Sequence, residues 1–112
     1  MRKLLPNAAH GMVKLVLTPA ARSDIVEIDE WGYQQFGEEV ADDYLRKLHS
    51  AFDQLADHSL SGKATPEYGK RYRCLVHRKH RIFYVVDNDV VLVVRILHHA
   101  MDAKRALQGA SK

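Results

Sequence analysis

The sequence has a single cysteine, Cys74, among its 112 residues. One cysteine cannot form a disulfide within the chain, and it cannot supply a zinc site made of four cysteine ligands. The chain also lacks an apolar run of the roughly 20 residues that a membrane-spanning helix requires. These absences predict a soluble, cytoplasmic protein with neither an internal disulfide nor a membrane span.

The sequence has little net charge, because 17 lysines and arginines face 14 acidic residues, a formal +3. This excess is too small to indicate nucleic-acid binding. The distribution is more informative. Ten acidic residues lie between Asp24 and Asp57, whereas the stretch from Tyr68 to Val86 has none and holds six lysines and arginines. Such segregation favours oriented contact with a charged partner; the alternative is that two solvated faces differ in sign.

The length and the 46% hydrophobic fraction are those of one folded domain. Near the N-terminus, Leu4 and Leu5 are followed at once by Pro6 and Asn7. This apolar stretch is shorter than the seven or so residues of a signal-peptide core. We predict that residues 1–11 are a disordered extension or tag remnant, and that residues 12–112 form a single domain.

The first half of the chain predicts a strand followed by two helices. Val13–Leu17 is rich in apolar and β-branched residues, as strands are. Thr18 and Pro19 then form a helix start, with the threonine as N-cap. Gly37 ends this helix. A second helix runs to about His58, and its apolar stripe consists of Ala41, Leu45, Leu48, Phe52 and Leu55.

The second half predicts a loop, three strands and a short helix. Residues 59–70 contain glycine, proline and serine, as surface loops do. Strands follow at about 72–77, 81–86 and 90–98, and a helix at 101–107. The last strand is almost continuously apolar, which predicts cover on both faces. The fold class is α+β: β-α-α-β-β-β, with a helical hairpin packed on a curved antiparallel sheet.

No residue pattern predicts a metal or cofactor site. His98 and His99 are adjacent in a predicted strand, so they should point to opposite faces. Cys74 lies within a predicted strand, where a buried, unreactive thiol is expected. Arg73, Arg81 and Arg95 instead come from three predicted strands and make a candidate anion-binding face. That face suits either ribonuclease chemistry or an acidic peptide, and the residues alone leave both open.

Two segments, LTPAARSDIVEIDEW and RIFYVVDNDVVLVVRILHHAMDAKRAL, resemble the ParE/RelE toxin superfamily of bacterial type II toxin–antitoxin systems. The resemblance extends from Met12 to Leu107. Its most specific part is the pairing of residues 81–84 with residues 95–98, followed by Met101 and Asp102, which is typical of the ParE branch.

The resemblance to ParE implies a toxin that inhibits DNA gyrase by protein–protein contact, without catalytic residues or a cofactor of its own. It also implies a cognate antitoxin that folds over the toxin in a hetero-oligomer. The expected residues for binding the target or the antitoxin are Arg73, Arg81, Tyr84, Arg95, His98, Asp102, Lys104 and Arg105. Arg95 has an alternative role, in which it pairs with Asp87 or Asp102 and holds the C-terminus.

The RelE branch implies another activity, ribosome-dependent cleavage of mRNA. In that reading Arg81 stabilises the phosphate, and His98 or His99 transfers the proton. However, no tyrosine follows His99, and the basic cluster of the RelE branch is reduced to Lys104 and Arg105. The C-terminal sequence therefore favours ParE. A third hypothesis is a toxin remnant without activity.

Overall fold

The computed structural model describes residues 14–110, and side chains as far as residue 108. The extension predicted for residues 1–11 lies outside this range. Within residues 14–110 the fold is a five-stranded sheet with three helices and one 3₁₀ turn, Pro66–Tyr68. In chain order the elements are β1 (Lys14–Leu17), α1 (Pro19–Phe36), α2 (Glu38–Asp57), β2 (Lys63–Ala64), β3 (Arg73–His77), β4 (His80–Asp87), β5 (Val90–His98) and α3 (Ala103–Ala110).

The α+β class and the order of the predicted elements are confirmed, but the sheet is mixed. Its strand order is β1-β5-β4-β3-β2. The last three long strands form the antiparallel meander, and β1 pairs with β5 in parallel. The predicted loop at 59–70 also contributes the two-residue strand β2. Among the described helices, none is long and apolar enough to cross a membrane.

Both ends of α1 are set by local sequence. The Thr18 hydroxyl accepts the Ala21 N–H at 3.0 Å, and Pro19 occupies the first helical position. At the other end Gly37 has φ of 90° and donates its N–H to the Tyr33 carbonyl. Glycine tolerates this positive φ. Helix α2 therefore starts directly at Glu38, and the two helices form the predicted hairpin.

The sheet is buried on both faces. The apolar stripe of α2, including Leu48 and Phe52, packs on one face against Tyr84 and Ile96. The other face carries Phe83 and Leu97, which pack against α3. Alternate residues of β5 enter these two clusters, which explains the continuous apolar run and confirms its predicted cover.

A bulge at Val94 changes the register between β4 and β5. Phe83 pairs with Arg95 and Tyr84 pairs with Val93, so Val94 has no partner on β4. The Val94 carbonyl accepts a 2.7 Å hydrogen bond from the Thr18 hydroxyl, and the Thr18 N–H donates to Val93. The N-cap of α1 thus also fastens that helix to the bulge.

Candidate functional site

A cavity of about 880 Å³ lies beside the helical hairpin, and we call it the hairpin groove. It lies where β5 ends and β4 begins. Helices α1 and α2 form one side, and the β3–β4 turn forms the other. Its lining includes Glu27, Glu30, Trp31, Phe36, Val40, Tyr44, Arg78, Lys79, His80, His98 and Met101.

Large apolar side chains are exposed along this groove. Trp31, Phe36, Val40 and Met101 keep 57, 58, 51 and 47% of their surface accessible. The rings of Trp31 and Phe36 meet edge to face at 5.7 Å, which holds the two aromatic side chains together. Clustered exposed apolar side chains mark an interaction surface.

Opposite charges line the two sides of the groove. Glu27 and Glu30 project from α1, whereas Arg78 and Lys79 form the β3–β4 turn. All four are exposed. Within residues 14–110 none of them forms a salt bridge. The acidic helices and the basic turn of the sequence therefore meet at this groove with their charges available.

A tyrosine and several histidines meet at the inner end of the groove. The Tyr44 hydroxyl lies 2.6 Å from Nδ1 of His80, and the His80 ring meets the His98 ring at 5.5 Å. Burial, followed by the neighbouring His98 and His77, lowers the pKa of His80 to about 4. Burial also lowers the pKa of His77. His80 is therefore uncharged at neutral pH.

The prediction that His98 and His99 point to opposite faces is wrong. Their rings stack at 4.4 Å because β5 ends at His98 and the chain turns there. In the part of the chain that is described, no group of three or more histidine, cysteine, aspartate or glutamate side chains is placed to hold a metal ion.

Arg81 lies on the other face of the sheet. It pairs with Leu97 of the α3-side cluster, and its guanidinium lies 5.4 Å from the centre of the Phe83 ring. Arg81 Nη2 donates to the carbonyls of Met101 at 2.9 Å and His99 at 3.4 Å. His98 instead pairs with His80 on the groove side. The structure therefore does not bring together the side chains of Arg81 and His98, two members of the alternative catalytic set.

Arg95 pairs with neither Asp87 nor Asp102, so that expectation is wrong. Its Nε and Nη2 donate to the two carboxylate oxygens of Asp24 at 2.7 and 2.8 Å. This hydrogen bonding raises the pKa of Arg95, against an opposing effect of burial. Asp102 instead accepts the Arg105 N–H at 3.2 Å. Arg95 is thus held inside the domain, with one fifth of its side chain exposed.

Tyr84 and Arg73 both fasten the loop that follows α2. Tyr84 is fully buried; its hydroxyl donates to the Ser59 carbonyl at 2.8 Å and accepts the Gly62 N–H at 2.9 Å. Arg73 donates to the carbonyls of Gly62 and Leu60. As a correction to the predicted binding set, Tyr84 has no surface for a partner, because its ring fills the core.

The remaining expected residues lie on or beside α3. Lys104 and Arg105 are exposed, while Ala103 and Leu107 are buried against β5. On strand β3, Cys74 is buried as expected, and burial raises the pKa of its thiol, which disfavours the reactive thiolate.

Sequence reasoning missed the apolar side chains of the groove. Only a weak signal was present: Trp31 borders the α1 stripe formed by Ala21, Ile25, Ile28 and Gly32, whereas Phe36 continues that stripe at the last position of the helix. Clustered apolar side chains that stay exposed indicate a contact surface, and their exposure could not be read from the helical spacing. Tyr44 of α2 also lines the groove, where it contacts His80.

Comparison with known proteins identifies related toxins. A family model described as the ParE toxin of type II toxin–antitoxin systems, parDE, matches residues 15–103. The chain is similar to Toxin ParE1 of Mycobacterium tuberculosis H37Rv, with 37% identity over 95 residues, which cover 84% of this chain and 97% of that protein. It is also similar to Toxin ParE1 of Caulobacter vibrioides, with 31% identity over 91 residues, covering 81% and 94%.

A solved structure, titled as the chromosomal ParDE toxin–antitoxin system of P. aeruginosa, contains a chain of similar fold. The TM-score is 0.68, and the match covers 78% of this chain and 96% of that chain. The sequence identity is 20%, so this likeness concerns the fold alone.

Proposed function

Because this chain belongs to the ParE toxin family of type II toxin–antitoxin systems, we propose that it inhibits DNA gyrase by protein–protein contact and that a cognate antitoxin neutralises it. Gyrase acts on chromosomal DNA, so the proposal places the toxin in the cytoplasm. No catalytic residue or cofactor of the toxin is required, because the inhibition arises from contact.

The observation that carries this proposal is the exposed apolar surface of the hairpin groove. Trp31, Phe36, Val40 and Met101 are about half exposed. Aromatic and methionine side chains are enriched where one protein binds another. A surface of this composition supports a binding protein, and it offers the antitoxin a place to fold against the hairpin.

The placement of Arg81 and His98 argues against the alternative in which a RelE-like ribonuclease transfers the proton through His98. A phosphate-stabilising group and a proton-transfer group must reach the same reacting atoms. Here the Arg81 guanidinium contacts the Met101 carbonyl on one face of the sheet, whereas His98 lines the groove on the other. The pair does not converge on one substrate position.

Lys104 and Arg105 are the residues that we propose for the gyrase contact, with Asp102 placed beside them at the start of α3. Both basic side chains are exposed, and Ala103 and Leu107 fix the helix that presents them. On the groove side, His98 is proposed to contact the antitoxin. Arg73, Arg81 and Arg95 act indirectly, by holding the loop, the C-terminal turn and helix α1.

The test is a supercoiling assay with purified gyrase, relaxed plasmid and toxin freed of antitoxin, beside an mRNA-integrity assay in cell-free translation. We expect loss of supercoiling or accumulation of cleaved DNA, with intact mRNA, and recovery on addition of antitoxin. Intact supercoiling with mRNA cut at the ribosome would refute the proposal. Failure of both activities would support a remnant.

A pair of variants tests the proposed contact. Lys104→Glu/Arg105→Glu should weaken gyrase inhibition by about tenfold or more, because like charges at an interface oppose binding. The matched control is Arg22→Glu/Lys63→Glu, which makes the same change in net charge at exposed positions away from α3. Equal loss in both variants would remove α3 from the contact.

A further inference from the structure

We propose that the free toxin forms a two-fold symmetric dimer through the hairpin groove, with a second copy of this chain as the occupant. This inference goes beyond gyrase inhibition, because it concerns the toxin when no antitoxin is bound. It rests on the charges and the exposed apolar side chains of the groove.

The groove is complementary to itself in charge. Its α1 side carries Glu27 and Glu30, and its turn side carries Arg78 and Lys79. In a two-fold dimer the same patch is used by both copies, and with the axis running along the groove each side of the patch meets the opposite side of the partner patch. The acids of each copy then face the cations of the other copy.

The balance of acids and cations on the two sides of the groove favours a second copy of the chain over a partner segment that carries charge of only one sign. An acidic segment would pair with Arg78 and Lys79 but would be repelled by Glu27 and Glu30; a basic segment would meet the reverse problem. Two acids and two cations, none in a salt bridge within residues 14–110, suit a partner that brings the same set.

The apolar residues of the groove give such a dimer its centre. Trp31, Phe36, Val40 and Met101 line the same groove as the charged residues, and each retains about half of its surface in the single copy. Interfaces commonly bury aromatic and methionine side chains at the centre and place charges at the rim. An antitoxin that uses the groove would then have to displace the second copy.

The first experiment measures the association of the purified free chain. Sedimentation velocity and light scattering over about 1–200 μM cover a micromolar dimer. We expect a dimer that dissociates on dilution, accompanied by a red shift in the emission of Trp31, the single tryptophan of the chain. A monomer across the whole range would overturn the proposal.

Two charge-reversal variants locate the interface. The acidic-side variant is Glu27→Lys/Glu30→Lys. The basic-side variant is Arg78→Asp/Lys79→Glu, with aspartate at position 78 because the φ there is 55°, which aspartate tolerates better than most residues. Each variant alone should raise the dimer dissociation constant about tenfold or more, because like charges then face each other.

Mixing the two variants gives the decisive result. In a mixed dimer both pairs of sides again carry opposite charges, so an equimolar mixture should associate as the native chain does, although each variant alone associates more weakly. This recovery also excludes misfolding as the cause of the loss. The controls Asp53→Lys and Lys63→Glu, exposed and outside the groove, should leave the dimer intact.

Absence of mixed association, or a dimer that neither variant weakens, would overturn the proposal. None of these measurements involves gyrase. The dimer and the proposed function can therefore fail independently of each other.

Discussion

Asp24 and Arg95 are joined by two hydrogen bonds of 2.7 and 2.8 Å between residues 71 positions apart in the chain. The same carboxylate accepts the Ile96 N–H at 2.8 Å. Strand β1 pairs with β5 only as far as Val93. Beyond that point the Asp24 carboxylate takes the place of a β1 backbone carbonyl as the acceptor for β5. This single carboxylate fixes α1, and with it one side of the hairpin groove, to the sheet.

Asp24→Ala is therefore expected to destabilise the domain by about 2–4 kcal/mol. The substitution leaves a largely buried guanidinium and a buried N–H without their acceptor. The free energy of unfolding in urea measures the loss. Asp29→Ala, also on α1, should change it by less than about 0.5 kcal/mol. In a double-mutant cycle, Asp24→Ala and Arg95→Ala should cost clearly less together than the sum of the two.

Replacing Gly62 and replacing Gly32 with alanine should have opposite effects on the stability of the domain. A Cβ at position 62 would lie 2.5 Å from the Tyr84 hydroxyl and 2.9 Å from the Cys74 carbonyl, so Gly62→Ala should destabilise by about 1–3 kcal/mol. At position 32 the nearest atom is the Ala41 Cβ at 3.6 Å, an ordinary contact. Gly32→Ala should stabilise α1 by up to about 1 kcal/mol. Thermal unfolding of both variants checks the signs, and a stabilised Gly62→Ala would contradict the buried hydroxyl.

Arg81→Met should loosen the C-terminal helix while preserving the packing on Phe83. The variant loses the hydrogen bonds to the carbonyls of Met101 and His99, just before α3, at a cost of about 1 kcal/mol. Amide hydrogen exchange across residues 103–107 should accelerate. Arg71→Met, which removes a similar bond to the Val86 carbonyl, should leave that exchange unchanged. Unchanged exchange in Arg81→Met would show that the guanidinium does not hold the turn.

The helical hairpin could be predicted because its signals are local. Thr18 and Pro19 set the start of α1, Gly37 sets the break, and the stripe from Ala41 to Leu55 sets the buried face of α2. The parallel pairing of β1 with β5 could not be predicted in this way. It joins residues that are about 76 positions apart, and no local pattern specifies such a partner.

The errors at the candidate site have the same cause, contacts between residues that are distant in the sequence. Asp87 and Asp102 lie on either side of Arg95 in the sequence, but the bulge at Val94 and the capped start of α1 bring Asp24 to it instead. Tyr84 carries a hydroxyl that suits a binding surface, yet its ring fills the core and the hydroxyl serves the Gly62 loop. Both outcomes depend on how distant elements meet.

The lowered pKa of His80 predicts that the domain loses stability as the pH falls. Its pKa is about 4 in the folded domain, mainly because of burial, against an ordinary value of 6.5. Between these two pH values the unfolded chain binds a proton that the folded domain does not. The free energy of unfolding contributed by His80 is therefore fully present above pH 6.5, and it declines as the pH falls towards 4. Allowing for the partial exposure of His80, we expect a loss of about 1–2 kcal/mol.

Urea unfolding at several pH values between 7 and 4 measures this slope, and His80→Gln should reduce it because glutamine does not titrate. His58→Gln, an exposed residue at the end of α2, serves as the matched control and should keep the native slope. His77 also has a lowered pKa, so His77→Gln should reduce the slope in the same direction. An unchanged slope in His80→Gln would mean that His80 accepts its proton as readily in the folded domain as in the unfolded chain. Burial would then not keep His80 neutral.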